Sequence, residues 1–436
     1  MWRNWAGDEG CRPTAIERPG SVPEVIAALE RAAAAGERLR VVGSGHSFND
    51  IACSDERLMT LERMDRVLDV DRAGGRVRVE AGITIDALNA ALAAHGLALE
   101  NLGDITAQTI AGAIATGTHG TGARFGNLSS QVEALELVCA DGATIACSVD
   151  DADGDTYLAT RVGVGSLGVV TAVTLRCVPA FTLHGVDRWE PLEDVLAGLE
   201  ERIAAHDHFE FYVFPHTSVA LTRANDRVDG PPRPRSRVRA WVDDVLLTNH
   251  VFHAFCLAGR AAPPLIPAIN RLVTRLGGAR EVVDRSDRVF ATVRRVRFTE
   301  MEYALPREHT ATALRRVLAM IEERGLRVPF PIEVRFVAPD EAFLSPVHGR
   351  ESGYIAVHMF EGMAWEPYFR AVERIMDEYD GRPHWGKRHF QTASTLRTRY
   401  PAWDRFQAVR ARLDPAGRFA NAYTDRVFGP IVSPST

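Results

Sequence analysis

A glycine-rich turn near the start of the chain has the composition of an anion-binding loop. The apolar run Leu39 to Val42 predicts a buried strand that ends in the turn Gly43-Ser44-Gly45-His46-Ser47. Such a turn exposes successive backbone N–H groups, a geometry that suits a phosphate or a pyrophosphate. The turn matches neither the Walker A pattern nor G-x-G-x-x-G. Its alternative interpretation is a tight turn without a ligand, in which His46 is a hydrogen-bonded turn residue.

A second segment, residues 101–122 (NLGDITAQTIAGAIATGTHGTG), has a similar composition. Its five glycines leave backbone N–H groups open, and its five threonines add hydroxyl donors. Two phosphate-compatible loops this close in the sequence favour a dinucleotide ligand over a mononucleotide. The alternative is a Gly/Thr-rich crossing of the core that binds nothing.

Three charged side chains in the second half of the chain suggest a polar substrate pocket. Glu333 and Arg335 lie two residues apart in the apolar run 331–337 (PIEVRFV), so on a strand they share one face. A carboxylate and a guanidinium side by side on such a strand suit a polar substrate, although a solvated edge or a structural ion pair has the same spacing. Lys387 follows the turn Trp385-Gly386 and is a candidate fixed cation near an anionic or electron-rich group. A plain surface loop is the alternative there.

The elements that must position these residues alternate between helix and strand signals up to about residue 180. Ser21 and Glu24 form a capping-box pattern before an apolar helix that Gly36 should end. Strands are predicted over 76–82 and 168–178, a helix over 84–95, and a hairpin around Asp141-Gly142. This order indicates an α+β domain.

Beyond residue 180 the pattern changes, and we place a domain boundary there. Strands are predicted over 209–215, 331–337 and 354–360, and helices over 310–325 and 366–379. The Pro- and Arg-rich segment 228–238 should be a surface loop.

Composition excludes several classes of protein. The chain has 436 residues, 46% hydrophobic and 25% charged, with a net charge of −6. This is an ordinary globular composition, and a slightly acidic chain gives no support to nucleic-acid binding. The N-terminus lacks the apolar core of a signal peptide, so we expect a cytoplasmic protein. The six cysteines include no C-x-x-C pair, and we predict reduced, small hydrophobic residues, with Cys139 and Cys147 as candidates to face each other across the hairpin.

The chain contains no run of about 18 apolar residues, so we predict no transmembrane helix and no integral membrane segment. The nearest candidate is residues 245–258 (VLLTNHVFHAFCLA), which four polar residues interrupt. We interpret this segment as a buried helix, and peripheral membrane contact is the alternative.

Taken in order along the chain, these segments resemble one enzyme family. The turn at 43–47, the run Ala115-Thr-Gly-Thr-His119-Gly-Thr-Gly, the pair Glu333-Val-Arg335 and the motif His384-Trp-Gly-Lys387 are similar to the sugar-1,4-lactone oxidase branch of the vanillyl-alcohol oxidase flavoproteins, close to alditol oxidases. The closing stretch 413–423 (LDPAGRFANAY) resembles that branch as well. The match extends from Asn4 to Phe428.

The resemblance implies an α+β fold in three parts. Residues 1–178 would form a two-part FAD-binding domain, and residues 179–380 an α+β cap domain with an antiparallel sheet that binds the substrate. Residues 381–436 would return to the flavin site. The absence of a nicotinamide fingerprint agrees with this interpretation.

The resemblance also implies the cofactor and its contacts. FAD pyrophosphate would lie on the loops 43–47 and 116–120, and His46 would bond covalently to the flavin 8-methyl carbon. Because residues 112–126 contain no cysteine, we predict a single link. The implied cofactor-binding residues are Val42, Gly43, Ser44, Gly45, His46, Ser47, Asn49, Gly103, Asp104, Thr106, Ala115, Thr116, Gly117, Thr118, His119, Gly120, Val170 and Lys387.

The implied reaction is hydride transfer from an alcohol carbon to flavin N5, with O2 as the acceptor that reoxidises the flavin and yields H2O2. Glu333 would hold or deprotonate the hydroxyl, Arg335 would bind substrate oxygens, and Lys387 would stabilise the reduced, anionic flavin. Burial would raise the pKa of Glu333 and Arg335 would lower it, so the direction stays open. His358, on the strand 354–360, is a possible pocket residue, and a core-facing strand histidine is the alternative.

Two residues bear on the acceptor and on the flavin contacts. Gly103 leaves room for oxygen where a methyl group would crowd it, which favours an oxidase. Asp104 departs from the Ser or Ala of relatives.

The expected substrate is a gulono-, galactono- or arabinono-1,4-lactone. An alditol oxidase acting on xylitol or sorbitol is the alternative, although Phe360 stands where such enzymes tend to carry threonine. A lactone dehydrogenase with another electron acceptor, a nicotinamide-dependent sugar dehydrogenase and a non-catalytic flavin protein are further alternatives.

Overall fold

A computed structural model describes residues 1–151, 154–292 and 294–431 of the chain. Its strands, in chain order, are β1 Trp2–Arg3, β2 Gly10–Cys11, β3 Ala15–Glu17, β4 Leu39–Val42, β5 Arg57–Thr60, β6 Val67–Asp71, β7 Arg76–Glu80, β8 Leu97–Ala98, β9 Val132–Val138, β10 Thr144–Ser148, β11 Val169–Arg176, β12 Val178–Pro179, β13 Thr182–Pro191, β14 His208–Val213, β15 Val219–Val228, β16 Arg280–Arg285, β17 Phe298–Pro306, β18 Ile332–Val337, β19 Ser352–Phe360 and β20 Arg382–Pro383.

The helices complete a mixed α and β architecture. They are α1 Val22–Ala34, α2 Ile85–Ala94, α3 Ile110–Ala115, α4 Gly154–Thr160, α5 Leu192–Ala197, α6 Leu199–Ala205, α7 Arg237–Trp241, α8 Phe252–Ala261, α9 Ile266–Leu276, α10 Ser286–Phe290, α11 Thr310–Glu323, α12 Glu366–Asp377, α13 Ala393–Arg397, α14 Trp403–Leu413 and α15 Ala422–Phe428. A π-helical segment, Val242–Val251, joins α7 to α8, and short 3-10 turns lie at Asp50–Ala52, Leu128–Gln131, Pro263–Leu265 and Arg307–His309.

The first 180 residues contain two main sheets. Strands β3, β5 and β4 form a parallel sheet, and β10, β9, β11, β7 and β6 form an antiparallel one. Helix α1 begins where the sequence predicts, because the Ser21 side chain accepts a hydrogen bond from the backbone N–H of Glu24. Strand β4 delivers the chain into the 43–47 turn, and Thr109 caps α3 within the second glycine-rich segment.

The second part of the chain is built on one antiparallel sheet of eight strands, in the order β16-β13-β15-β14-β18-β19-β17-β20. Side chains alternate along these strands. Residues such as Val334, Val357 and Met301 point to one face and pack against helices that include α11 and α12. The opposite face carries polar and charged side chains, which lie toward the first part of the chain.

The C-terminal segment crosses back to the 43–49 loop. Phe48 N–H donates to the carbonyl of Gly386 at 2.7 Å, and Asn49 Nδ2 donates to the carbonyls of Trp385 and Lys387 at 2.9 and 2.6 Å. Trp385 is fully buried and belongs to the same hydrophobic core as the first 180 residues. This crossing brings Lys387 to the site described below.

Two sequence predictions are wrong in detail. Residues 245–258 are helical but not buried, because Leu247 and Leu257 are 51% and 40% exposed. Cys139 and Cys147 are both buried and unbonded, but the register pairs Cys147 with Leu135, so the two thiols do not lie opposite each other. All six cysteines are free, as predicted. None of the described helices is both long and apolar enough to span a bilayer.

Candidate active site

The polar face of the eight-stranded sheet carries rows of charged side chains. Directly opposed residues of an antiparallel pair point to the same face. One row runs Tyr212, Glu333, Ala356, Glu302 across β14, β18, β19 and β17, and the next runs Glu210, Arg335, Tyr354. The row on the other side pairs His358 with Glu300. The period-two prediction that Glu333 and Arg335 share a face is therefore confirmed.

Six members of these rows form one wall of a cavity of about 390 Å³: Tyr212, Glu300, Glu302, Glu333, Arg335 and His358. The facing wall comes from the glycine-rich segments: residues 46–48, 103–108, and the stretch around Thr116 to His119. A smaller cavity of about 80 Å³ continues from it along the 40–47 turn and the start of α3. The two cavities share His46, Ser47, Gln108 and Thr116, so together they form one elongated space.

Arg335 is the centre of one buried charge cluster. Its Nη2 lies 2.5 Å from Glu333 Oε1 and 2.8 Å from Asp104 Oδ1, and its Nε donates to Glu210 at 2.9 Å. Arg294 adds a second cation, 2.7 Å from the other oxygen of Asp104. The cluster therefore joins the sheet to the 103–108 loop across the cavity.

The two carboxylates around Arg335 differ in acidity. Burial raises the pKa of Glu333, and the opposing effect of Arg335 is not enough to cancel it. Burial also acts on Asp104, but there Arg335 and Arg294 together hold the pKa well below its usual value. Asp104 is thus a fixed negative charge, whereas Glu333 is the carboxylate more easily protonated.

Lys387 is the centre of a second cluster. Its Nζ lies 2.5 Å from Glu300 Oε2, and His358 Nε2 lies 3.5 Å from the other oxygen of Glu300. Despite burial, Lys387 and His358 lower the pKa of Glu300 to about 2. Lys387 is the only lysine among the 51 Lys and Arg residues of the chain.

A third buried pair lies behind these clusters. His119 Nε2 lies 3.3 Å from Glu302 Oε1, and its Nδ1 lies 2.8 Å from the carbonyl of Gly120. The imidazole stacks on Tyr354, with ring centroids 3.7 Å apart. Burial opposes ionisation of Glu302, yet His119 holds its pKa well below the usual value. His384 beside it is neutral, because burial lowers its pKa to about 3.

His46 stands at the junction of the two cavities. Its ring stacks on Trp5 at 5.7 Å between centroids. Burial, assisted by the charge of Lys387, lowers the pKa of His46 to about 4. The imidazole is therefore neutral near pH 7 and keeps a ring nitrogen lone pair.

The smaller cavity fits a diphosphate. Gly43 and Ser44 are exposed in its wall, and a Cβ at Gly43 would come within 2.4 Å of Thr109 Oγ1, so only glycine allows this close approach. Arg40 lies in the same wall and donates to four backbone carbonyls, those of Ile51, Val164, Gly165 and Phe419. Burial lowers the pKa of Arg40 only to about 10, so its charge remains to attract an anion.

The structure separates the predicted cofactor residues into two groups. Those that line the described cavities are Val42, Gly43, Ser44, Gly45, His46, Ser47, Gly103, Asp104, Thr106, Ala115, Thr116, Thr118, His119 and Lys387. Asn49, Gly117, Gly120 and Val170 are not among the residues that line these cavities.

Three residues of the second group have structural roles. Asn49 ties the C-terminal segment to the turn, as described above. Val170 pairs with Leu137 inside the antiparallel sheet of the first 180 residues. Gly120 allows two loops to touch, since a Cβ there would lie 2.1 Å from the carbonyl of Leu102.

Gly103 has a packing explanation of its own. A Cβ at this position would lie 2.9 Å from the carbonyl oxygen of His119. Contact between the two glycine-rich loops is therefore a second explanation for this glycine, beside the predicted room for oxygen.

Sequence reasoning missed Arg40, Glu210, Arg294, Glu300 and Glu302. A signal for the last two was present, because the strand FTEMEYALP places Glu300 and Glu302 at period two opposite Met301 and Tyr303, which are fully buried. No sequence pattern points to the other three, Arg40, Glu210 and Arg294. Their place in the site is visible only from tertiary contacts.

Comparison with known proteins identifies the family. The profile described as D-arabinono-1,4-lactone oxidase matches residues 173–427, and an FAD binding domain matches residues 13–148. The L-gulono-1,4-lactone dehydrogenase of Mycobacterium tuberculosis is 51% identical over 430 residues, 99% of both chains. This chain belongs to the D-arabinono-1,4-lactone oxidase family. It is an FAD-dependent oxidoreductase, as the sequence resemblance implies.

More distant relatives and solved structures agree. The L-gulonolactone oxidase of Bos taurus is 37% identical over 98% of both chains, and the alditol oxidase of a Streptomyces species is 33% identical over 96% of this chain and 97% of its own. A solvent-stable cholesterol oxidase superposes with a TM-score of 0.83 at 19% identity, covering 97% of this chain and 96% of its own. At that identity the likeness concerns the fold alone, and it confirms the predicted vanillyl-alcohol oxidase-type architecture.

Proposed function

We propose that the protein oxidises the alcohol carbon of a sugar-1,4-lactone, such as a gulono-, galactono- or arabinono-lactone. The observation that carries the proposal is the pair of charge clusters around Arg335 and Lys387, which face the glycine-rich loops across one cavity. In this proposal residues 1–178 hold FAD, residues 179–380 hold the substrate, and residues 381–436 carry Lys387 to the site. Bound FAD supplies the hydride acceptor.

Glu333 takes the role of base for the substrate hydroxyl. Its Oε1 faces Arg335 Nη2, and we assign Oε2 to the hydroxyl proton. The raised pKa of Glu333 supports this role, because a carboxylate that binds protons more readily is a better proton acceptor near neutral pH. Arg335 binds the oxygen as it acquires negative charge.

Arg335 is held for this task by three carboxylates. Glu333 and Asp104 both contact Nη2 and Glu210 contacts Nε, so the side chain cannot rotate without breaking an ion pair. A guanidinium fixed in advance stabilises developing charge without reorganising. Removal of one such donor typically costs about 10²–10³ in rate.

Lys387 supplies a compact cation beside the flavin. In a chain whose other cationic side chains are all arginine, a lysine here provides a small ammonium with three rotatable donors rather than a planar fork. Glu300 acts as a positioning residue, because it holds Lys387 at 2.5 Å and faces His358 with its other oxygen. The remaining donors of Lys387 stay free to contact the cofactor or substrate.

FAD attachment through His46 belongs to the same proposal. The position of His46 between the two cavities suits a residue that contacts the flavin ring while the 43–47 turn holds the diphosphate and the charge of Arg40 lies in the same wall. A neutral imidazole has the lone pair that a bond to the flavin 8-methyl carbon needs, and its lowered pKa keeps it neutral. We expect one covalent link.

Lactones are favoured over alditols at one position. The residue two places after His358 is Phe360, whose ring packs against Phe330 at 6.3 Å between centroids. It offers no hydroxyl to a linear polyol. Alditol oxidation remains the second candidate, since the Streptomyces alditol oxidase is similar over nearly the whole chain.

Two electron acceptors are in question. The relatives at 36–37% identity are named oxidases, which supports O2, whereas the relative at 51% is named a dehydrogenase, which supports a different acceptor. We propose O2 as the acceptor and treat the dehydrogenase reaction as its competitor.

An anaerobic spectrum tests these assignments together. Gulonolactone should bleach the flavin absorbance, xylitol should not, and air should restore the colour with H2O2 released. Bleaching by xylitol alone would favour an alditol oxidase. Bleaching without recovery in air would favour a dehydrogenase. Failure of both substrates to bleach a flavin-loaded protein would refute the proposed reaction. Glu333→Gln serves as the matched variant, which should load FAD yet reduce it slowly.

A further inference from the structure

Large apolar side chains on the surface are concentrated in one segment. Among the described residues, eight of the eleven exposed large hydrophobic side chains lie between residues 238 and 276. Trp241 is 53% exposed and Leu276 is 68% exposed. The set is Val238, Trp241, Leu247, Val251, Leu257, Leu265, Leu272 and Leu276. A monomeric soluble protein rarely leaves such a concentration uncovered without a function.

The helices in this segment have distinct inner and outer faces. Helix α7, the π-helical segment and α8 follow one another over residues 237–261, and α9 packs back against α8. Cys256 and Asn270 are buried on the inner side, where Asn270 donates to the carbonyls of Pro215 and Val328. Leu272 and Leu276 are one helical turn apart and exposed on the outer side. We call this outer side of residues 237–276 the helical surface.

The helical surface and its flanks have a positive charge. Residues 233–280 contain eight arginines, two aspartates and no lysine or glutamate, a formal charge of +6 in a chain whose net charge is −6. Residues 237–276 themselves hold five of these arginines and both aspartates, a formal charge of +3. Both aspartates are already paired, Asp243 with Arg235 at 2.8 Å and Asp244 with Arg235 and Arg280 at 2.6 and 3.1 Å.

An arginine-lined groove borders the apolar side chains. Arg271 and Arg275 lie beside Leu272 and Leu276 on α9, and both line a surface groove together with Arg327. Glu322 also lines this groove, but its carboxylate is 2.6 Å from His216 Nδ1. Guanidinium groups are well suited to phosphate oxygens.

We propose that the helical surface binds a bilayer that contains anionic phospholipids. Exposed Trp and Leu side chains would enter the boundary of the acyl chains, and the arginines of α9 would contact lipid phosphates. Sequence analysis kept peripheral membrane contact open for residues 245–258, and the exposure of their apolar side chains now supports it.

Charge argues against a second copy of the chain as the partner. A symmetric dimer places the same patch of each subunit against the other, so this surface would oppose its own positive charge. An anionic bilayer supplies the opposite charge and an apolar layer at once.

The test is flotation of the flavin-loaded, full-length protein with lipid vesicles. Vesicles of phosphatidylcholine with about one third phosphatidylglycerol should carry the protein, and pure phosphatidylcholine should carry far less. Arg271→Gln with Arg275→Gln should lower the partition coefficient about 30-fold, since two basic contacts are lost. Trp241→Ser with Leu276→Ser should abolish flotation without affecting lactone oxidation in solution.

Matched surface variants control for general effects of charge and polarity. Leu68 and Val149 are exposed outside the helical surface, and so are Arg12 and Arg72. Leu68→Ser with Val149→Ser, and Arg12→Gln with Arg72→Gln, should float as the unaltered protein does.

Four outcomes of the flotation and light-scattering measurements would overturn the proposal. They are no flotation with anionic vesicles, equal flotation with neutral ones, loss of flotation in the control variants, and a dimer in light scattering that Trp241→Ser with Leu276→Ser dissolves. Inorganic phosphate distinguishes a free-phosphate site from lipid binding. It should displace the protein no better than chloride at equal ionic strength, and selective displacement by phosphate would overturn bilayer binding.

Discussion

Replacement of Lys387 by methionine removes the cation that keeps the buried carboxylate of Glu300 ionised. In the native protein the pKa of Glu300 is about 2, against an ordinary 4.5, even though burial acts in the opposite direction. This difference corresponds to about 3 kcal/mol in favour of the ionised form. Without Lys387, burial raises the pKa of Glu300, and His358 is the cation that remains near the carboxylate to oppose it.

The size of the effect follows from the cost of an unpaired buried charge. Removal of one partner of a buried ion pair costs about 3–5 kcal/mol. Expressed as a protonation equilibrium, that cost raises the pKa of Glu300 in the Lys387→Met variant above its ordinary value, because burial is then opposed mainly by His358. The flavin reduction rate should fall about 10²–10³-fold as well, because a group that stabilises charge is gone.

The two proteins should then differ in how their stability depends on pH. In the native protein the lowered pKa of Glu300 stabilises the fold above its ordinary value of 4.5, and this contribution is lost only as pH falls toward about 2. In Lys387→Met the raised pKa of Glu300 reverses the sign of this contribution to stability. The variant is destabilised at about pH 7, where the unpaired carboxylate is ionised, and recovers relative to the native protein as pH falls toward about 5.

Urea unfolding of the flavin-loaded proteins between about pH 5 and pH 8 measures this difference. The double variant Lys387→Met with Glu300→Gln should regain most of the lost stability, because neither charge is left unpaired. If the double variant instead loses the sum of the two single effects, or if Lys387→Met shows no dependence on pH, the coupling between Lys387 and Glu300 is refuted.

Four further predictions concern other parts of the site. His46→Ala should release flavin to the supernatant on acid precipitation, and a yellow pellet would refute covalent attachment through this residue. Asp104→Asn should move the acid limb of the kcat/KM profile to lower pH, because the Asp104 charge helps to raise the pKa of Glu333; an unchanged limb would mean that Glu333 is not the base. Gly120→Ala should cost about 1–3 kcal/mol by overpacking, whereas Gly154→Ala, which has open space around it, should not; equal unfolding midpoints would contradict this. Reductive methylation should modify only the N-terminus and Lys387, and bound substrate should slow modification of Lys387; equal rates by mass spectrometry would place it away from the substrate.

The local elements were largely predictable, because their signals lie within a few residues. The capped start of α1, strand β4 before the 43–47 turn and the Asp-Gly hairpin each depend on neighbouring residues alone. The shared face of Glu333 and Arg335 follows in the same way from the period of a strand. Burial of residues 245–258 was mispredicted, because an apolar composition does not say which side of a helix finds a packing partner.

The order of the motifs also determined the family, since five segments in one sequence are enough to indicate FAD and a lactone-type substrate. The sequence even reveals that Lys387 is the only lysine. It does not reveal that Glu300, 87 positions away, is its partner. That contact exists because the C-terminal segment pairs with β17, where Arg388 N–H donates to the carbonyl of Glu300, and because Asn49 draws the same segment back to the first part of the chain. The charge state of each carboxylate then depends on burial and on cations that arrive from other strands, so only the tertiary structure distinguishes Glu333, with its raised pKa, from Glu300, with its lowered one.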